Sequence, residues 1–503
     1  MQKLALFTKS VRFRSAIVAI LLALVFLQPF LSARKFGPVT DEVPHIASGY
    51  SYWKTGEIEL NKQHPPLVKL LATVPMLFMD IDFNQADIAL GQWQFGKKLL
   101  FSNNADRILL WARLVPMLLS VLLGYFVFRW TKELFQNYWT GILALGIYAF
   151  MPNILAHAQF VTTDLAVACF SFVTLYWLWK KNLILTAVFL GLALGTKFSA
   201  LVLIPIVFVG MGLKWRHTLA VGLIAFAVLY IIYLFPGNLH FYLDGYRALY
   251  EDHSSTYLYY FNSNFSHEGF WNYFLIAFLI KTPIPFLIGL VVAIIYARKF
   301  RFNLITNVFL WGMPILFFLM TTWKAHNIGV RYLLPMYPFL IVLVAGGIQK
   351  ALQLYSFKAI KIIAMLFGIW YIGSALFIYP DYLAYFNETI GGPKNGYKYL
   401  DDSNLEWGQD VKHLATYQQK HPETKVIYPW EMINLSYYGI RDNQFSPKGD
   451  WWKNPHGKYI ASIFYLIRAK AASVQYSASE VDWLSRYQST DRLGYSYFVY
   501  EFQ

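Results

Sequence analysis

The chain has 503 residues, of which 57% are hydrophobic, 19% aromatic and 14% charged, and its mean hydropathy is +0.40. That balance excludes a soluble multidomain protein and points to a polytopic membrane protein. The net charge of +15 falls in short basic clusters between apolar runs, which reads as topological anchoring and not as a nucleic-acid surface.

A basic start (Lys3, Lys9, Arg12, Arg14) followed by an apolar run at 16–31 reads as a retained signal anchor, because Leu31-Ser32-Ala33 is a poor cleavage site. Apolar segments of spanning length are expected at 15–33, 107–128, 138–155, 164–179, 182–196, 198–213, 217–236, 273–296, 305–322, 332–349 and 360–379. The class is therefore an all-α bundle of about eleven spans, with its termini on opposite sides. Basic clusters at Arg129/Lys132, Lys180/Lys181, Lys214/Arg216, Arg298/Lys299/Arg301 and Lys350/Lys358/Lys361 all fall on the side of the N-terminus. The positive-inside rule makes that side cytoplasmic. The loops 34–106, 237–272 and 321–331 and the tail from 380 then lie outside the membrane, in the periplasm or exterior of a bacterium or the lumen of a eukaryote.

The first outer loop has helix-like apolar spacing around 45–53 and 85–100, with Tyr50, Tyr52, Trp53 and Trp93 among it, which predicts interfacial helices. Residues 380–503 change composition. A helix is expected at 409–419 and strands at 458–466 and 495–502, making a small α/β domain outside the membrane and leaving 1–379 as the membrane domain. The lone cysteine, Cys169, excludes an intrachain disulfide and a multi-cysteine metal site.

Chemistry is expected where charges crowd the outer ends of apolar segments, since ionisable groups there are costly unless paired, ligating or catalytic. Asp41 and Glu42 stand side by side after the first segment, Asp164 opens the fourth, and Asp244, Asp252 and Glu268 occupy outer loops. The alternative for the first pair is a structural ion pair with Arg34 and Lys35. Lys197, Lys281 and Arg331 sit on the side opposite the anchoring clusters, where together they suit a phosphate headgroup. His64, His240, His253, His267 and His326 are also outer, so a divalent metal has candidate ligands in Asp41, Asp164 and His64, although no fixed ligand spacing appears. No phosphate-binding loop of the GxxxxGK[ST] kind and no GxSxG elbow is present.

The block at 41–75, DEVPHIASGYSYWKTGEIELNKQHPPLVKLLATVP, resembles the first outer loop of lipid-carrier-dependent glycosyltransferases: the protein O-mannosyltransferases (glycosyltransferase family 39) and their bacterial relatives, including the lipid A aminoarabinose transferases. The likeness continues through TTDLAVACFSF, GLALGTKFSAL, EGFWNYFLIAFLIKTPIPF, GVRYLLPMYPFL and AYFNETIGGPKNGYKYLDDSNLEWGQDVKHL, so it runs in order to about His413. The resemblance implies a GT-C fold and transfer, with inversion, of a sugar from a polyprenyl or dolichyl phosphate to an acceptor protein or envelope glycolipid. It also implies roles. Asp41 matches the acceptor base, Glu42 its partner and Asp164 a second acidic position, while Lys197 and Arg331 match positions suited to the donor phosphate. Lys281 joins them on charge, and His64, His326 and Tyr332 are expected on the cavity wall. Where some relatives hold a metal-binding carboxylate, this chain has Gln63-His64-Pro65-Pro66, and the tail does not look like the MIR repeats of eukaryotic members. Three sequon matches, Asn264, Asn387 and Asn434, read as chance. The rival reading is a flippase for lipid-linked sugars, which predicts broken midplane segments and internal symmetry.

Overall fold

A computed structural model describes residues 11–212, 214–251, 257–355, 357–441, 453–476 and 481–503. Lys3, Lys9, Asp252 and His253 lie outside the described residues.

Six described helices are long and apolar enough to cross a bilayer: Val11–Ala33, Ala105–Leu134, Trp215–Ile232, Leu304–Trp323, Val330–Leu354 and Lys358–Ile378. The protein is thus a helical, multi-pass membrane protein. Two expected spans are broken. Tyr138–Ala149 meets Pro152–Ala158 at 63°, and Tyr273–Lys281 meets Ile284–Ile295 at 111°. Asp164–Trp179, Leu183–Leu194 and Phe198–Gly210 are shorter than the roughly 20 residues a bilayer needs.

Burial sorts these helices from centre to rim. The apolar window of Val330–Leu354 is 83% buried, whereas that of Lys358–Ile378 is 17% buried and turns Leu366 and Phe377 outward. In water such a surface would drive aggregation; against lipid it is the expected inversion. Close crossings use small residues, as at Gly347, where an added Cβ would lie 2.6 Å from Ala293 Cα.

Proline explains both breaks, because it removes a donor and biases the preceding residue away from helix. The sharper break, at Thr282-Pro283, leaves carbonyls that must find partners. Asn387 Nδ2 donates to Leu279 O at 2.6 Å and Thr282 O at 2.7 Å, and Asn387 N donates to Ile280 O at 2.8 Å. Asn153 Nδ2 donates to Lys281 O at 2.8 Å. The sequon match at Asn387 is therefore a buried structural asparagine.

The first outer loop departs from expectation. Helix Glu42–Thr55 does not lie with one wet face on a membrane surface: Glu42 through Tyr52 are all buried. It packs against Leu67–Thr73 and Gly91–Phe101, so closely that a Cβ at Gly49 would sit 2.1 Å from Lys69 O. Gly91–Phe101 fits the amphipathic reading better, burying Phe95, Gly96, Leu99 and Leu100.

The tail holds a four-stranded sheet in the order Lys425–Ile427, Gly457–Ser462, Tyr497–Phe502, Asp491–Leu493, with the first pair parallel and the others antiparallel. Helix Val411–Lys420 matches the expected 409–419. The strand expected at 458–466 stops at Ser462 and becomes helix Ile463–Tyr476, because Ser462 Oγ accepts from Tyr465 N at 3.2 Å and caps it.

Candidate active site

A cavity of about 580 Å³ opens between the first outer loop, the starts of several helices and the tail. Its wall includes Asp41, His45, His64, Asp164, Lys197, His326, Arg331, Tyr332 and Asp402, with Val167, Leu201, Phe317 and Met320 forming an apolar side. That size and mixture suit an amphipathic ligand whose head is polar.

Each charge arrives at the end of an element. Asp41 directly precedes helix Glu42–Thr55, and Asp164 is the first residue of helix Asp164–Trp179, where the positive end of the helix dipole favours an acid. Lys197 stands in extended backbone between Leu183–Leu194 and the turn Phe198–Val202. Arg331 begins the helical stretch Val330–Met336, after a glycine that cannot be replaced freely: a Cβ at Gly329 would lie 2.2 Å from Ser403 Oγ.

These four form one chain of charge. Arg331 Nη1 donates to Asp41 Oδ2 at 2.7 Å and lies 3.9 Å from Asp164 Oδ2, while Lys197 Nζ donates to Asp164 Oδ1 at 2.5 Å. The Arg331 guanidinium packs over the Trp407 ring at 4.2 Å and Lys197 over Tyr332 at 4.5 Å, which fixes both cations from the side. Arg331 Nε and Thr162 Oγ1 are buried without hydrogen-bond partners among the described residues. Such orphans are costly unless a ligand or water meets them.

Two histidines line the same wall. His45 and His64 meet edge to face at 5.2 Å, and His45 Nδ1 lies 3.0 Å from Val161 O, which sets it as the donor in the neutral ring. Burial holds His45 below its ordinary range. It holds His64 further below, with His45 and Lys69 adding to the effect. His326 bonds Tyr259 OH.

Glu42 and Lys281 are corrections. The Glu42 carboxylate is fully buried and fully used: Oε1 accepts from Arg113 Nε at 2.9 Å and Val161 N at 3.0 Å, and Oε2 from Arg113 Nη2 at 2.6 Å and Val39 N at 3.0 Å. It holds the loop in place and has no oxygen left for acceptor or metal. Neither Arg34 nor Lys35 is its partner. Lys281 does not reach the cavity; its Nζ donates to Leu383 O at 2.7 Å and Asn404 O at 2.5 Å beneath the tail, over the Phe386 ring. Asp244, Glu268, His240 and His267 also lie off the cavity wall.

The metal candidates do not converge. Asp41 and Asp164 are each held by a cation, and the described grouping whose ligand atoms lie within 4.8 Å of one another is Asp381, Asp410 and His413, away from the cavity. A cation is a poor neighbour for a metal ion, so Asp41 and Asp164 as paired here are poorly placed to share one.

Sequence reasoning missed Arg113, Lys69 and Asp402. Lys69, which makes no ion pair among the described residues, donates to Asn61 O at 2.6 Å, Asn61 Oδ1 at 2.8 Å and His64 O at 2.6 Å, so it fixes the loop that carries His64. Burial drives its pKa well below the usual lysine range. Its signal was a lysine within an apolar run just after the proline pair.

The sequence profile described as dolichyl-phosphate-mannose-protein mannosyltransferase matches residues 16–288, more than half of the chain. Comparison with curated protein sequences returns no match. Among solved structures, ArnT from Cupriavidus metallidurans bound to undecaprenyl phosphate is similar over 96% of this chain and 97% of that one, at 14% identity and a TM-score of 0.48. The same protein in the apo state has 15% identity and a TM-score of 0.48 over the same shares. The Saccharomyces cerevisiae protein O-mannosyltransferase Pmt1-Pmt2 complex bound to the sugar donor is similar over 50% of this chain and 34% of that one, at 17% identity and a TM-score of 0.29.

Proposed function

The chain belongs to the dolichyl-phosphate-mannose-protein mannosyltransferase family, and from that premise we propose how its cavity carries out the transfer. The protein is a membrane glycosyltransferase that draws its sugar from a polyprenyl-phosphate carrier. The matching family is one of transferases and lends no support to the flippase alternative, although two spans are broken as that alternative expects.

Asp41 is the general base. Arg331 holds its Oδ2 at 2.7 Å, which leaves Oδ1 to accept the proton of the acceptor hydroxyl. As that proton moves, the acceptor oxygen bonds to the anomeric carbon from one face while the carbon–phosphate oxygen bond breaks on the other. The configuration inverts and the phosphate leaves with the electron pair. A phosphate leaving group needs positive charge and no proton, so Arg331 and Lys197 receive it, with Asp164 holding the two cations in register. The orphaned Arg331 Nε gives an incoming anion an unused donor. His64 and Tyr332 complete the wall, His326 borders the sugar, and Glu42 and Arg113 position Asp41.

The observation that carries this reading is the unbroken sequence of contacts Asp41–Arg331–Asp164–Lys197 along one cavity. A GT-C bundle of about eleven crossings, counting the two bent pairs and the three shorter helices, suits it, with the N-terminus cytoplasmic and the cavity facing the outside of a bacterial inner membrane. Residues 1–379 would then form the membrane domain and 380–503 the outer one. The acceptor is an envelope protein hydroxyl or glycolipid. Incubating the purified protein with polyprenyl-phosphate mannose and envelope extract tests the reading: sugar-dependent release of carrier phosphate supports it, and intact donor after prolonged incubation refutes it.

A further inference from the structure

The cavity carries three acids, Asp41, Asp164 and Asp402, against two cations, Lys197 and Arg331. The cations are committed to the first two acids, at 2.7 Å and 2.5 Å. Among the described residues no lysine or arginine makes an ion pair with Asp402. The nearby Arg468 bonds Asp401 Oδ2 at 2.5 Å instead.

Asp402 is also built into position. It is one of the few residues with a side chain in the left-handed region, at φ +53°, a conformation that aspartate tolerates better than most and that tends to persist at functional sites. Its neighbours pin the turn: Ser403 Oγ donates to Ile328 O at 2.8 Å, Asn404 Oδ1 accepts from Val330 N at 2.9 Å, and Asn404 Nδ2 donates to Tyr273 OH at 2.9 Å. The carboxylate itself is steadied by Ser403 N at 2.6 Å on Oδ1 and Tyr257 OH at 3.3 Å on Oδ2. These bonds fix the tail turn to the residues flanking Arg331.

We infer that Asp402 is a sugar-reading residue of the donor site, its carboxylate accepting hydrogen bonds from hydroxyls of the carrier-linked sugar. The inference rests on the donor reading above and adds a recognition element supplied by the tail. An anion repels the donor phosphate, which leaves the hydroxylated ring as the part of that ligand it suits. Burial raises the Asp402 carboxyl above its ordinary range despite Arg331 and Arg468 nearby, and hydrogen bonds from hydroxyls would act against that by favouring the ionised form.

Binding to the full-length purified protein tests this without an acceptor, using polyprenyl-phosphate mannose and bare polyprenyl phosphate as the two ligands. Wild type is expected to prefer the mannosylated lipid by about tenfold or more, the scale of a hydrogen bond to a charged group. Asp402→Gly, which suits the left-handed backbone, and Asp402→Asn, which keeps the size, should lose most of that preference while binding the bare carrier as before. A variant that retains the preference overturns the role of Asp402 alone. A variant that also loses the bare carrier assigns Asp402 to the phosphate or to the fold and overturns the proposal too. Wild type binding both lipids alike overturns sugar reading, and wild type binding neither overturns the donor site itself.

Discussion

Arg331 Nη1 donates to Asp41 Oδ2 at 2.7 Å across 290 positions of sequence, joining the first outer loop to the start of a central helix. The same guanidinium stacks on Trp407 and reaches toward Asp164 at 3.9 Å, so one side chain ties together the first outer loop, the helix that Asp164 opens and the tail. Lysine cannot repeat that, because a point charge lacks the planar fork. Arg331→Lys is expected to lower kcat/KM by about 10²- to 10³-fold, the usual effect of losing one preorganised charge-stabilising donor. Near-normal kcat/KM in a carrier-release assay would remove Arg331 from the reaction.

Glu42 and Arg113 should behave as a structural pair. Both are buried, and Glu42→Ala would leave a guanidinium without its partner at a typical cost of about 3–5 kcal/mol. Thermal unfolding in detergent should show a large loss of stability for Glu42→Ala and for Arg113→Ala. In a double variant with apolar residues of similar volume at both positions, much of the loss should return. A stable Glu42→Ala protein would refute the positioning role.

Lys281 separates a charge role from a structural one. Its ammonium meets two backbone carbonyls and an aromatic face beneath the tail. Lys281→Met should therefore lower thermal stability while leaving the donor KM of the folded fraction within about twofold, since each orphaned buried acceptor costs about 1–3 kcal/mol and no cation leaves the cavity. A selective rise in donor KM with unchanged stability would restore Lys281 to the phosphate site.

These residues also mark what the sequence could tell. Asp41, Asp164, Lys197 and Arg331 were legible because a charge at the end of an apolar segment is rare enough to demand a reason. Glu42 and Lys281 looked identical to them on that criterion. What distinguishes them is a partner 71 residues away in Arg113, and carbonyls supplied by the tail, neither of which has a local pattern. The helices followed from apolar length, but the 111° break did not, because 273–296 reads as one segment of spanning length although Lys281, Thr282 and Pro283 interrupt it. Asp402 was hidden for a different reason: it stands out by a left-handed turn and by making no ion pair among the described residues.

The histidine pair predicts an acid limit. Folding lowers the pKa of both rings, so below the unfolded value of about 6.5 the unfolded chain binds protons that the folded one refuses. Stability is therefore full above about pH 6.5 and falls progressively as the pH drops below it. Thermal melts at descending pH should show this loss, and His64→Asn should flatten the slope relative to wild type. A wild-type melting temperature constant from pH 7.5 to pH 5 would contradict the account.

Asp41→Asn offers the most direct measurement of all. The substitution keeps the size of the side chain and one carbonyl oxygen for Arg331 but removes the carboxylate proposed as the base. In membranes with matched expression, transfer of labelled sugar from the polyprenyl-phosphate donor should fall by about 10²- to 10⁴-fold, the range for loss of general-base catalysis, while donor binding persists. Undiminished transfer by Asp41→Asn would contradict the central claim.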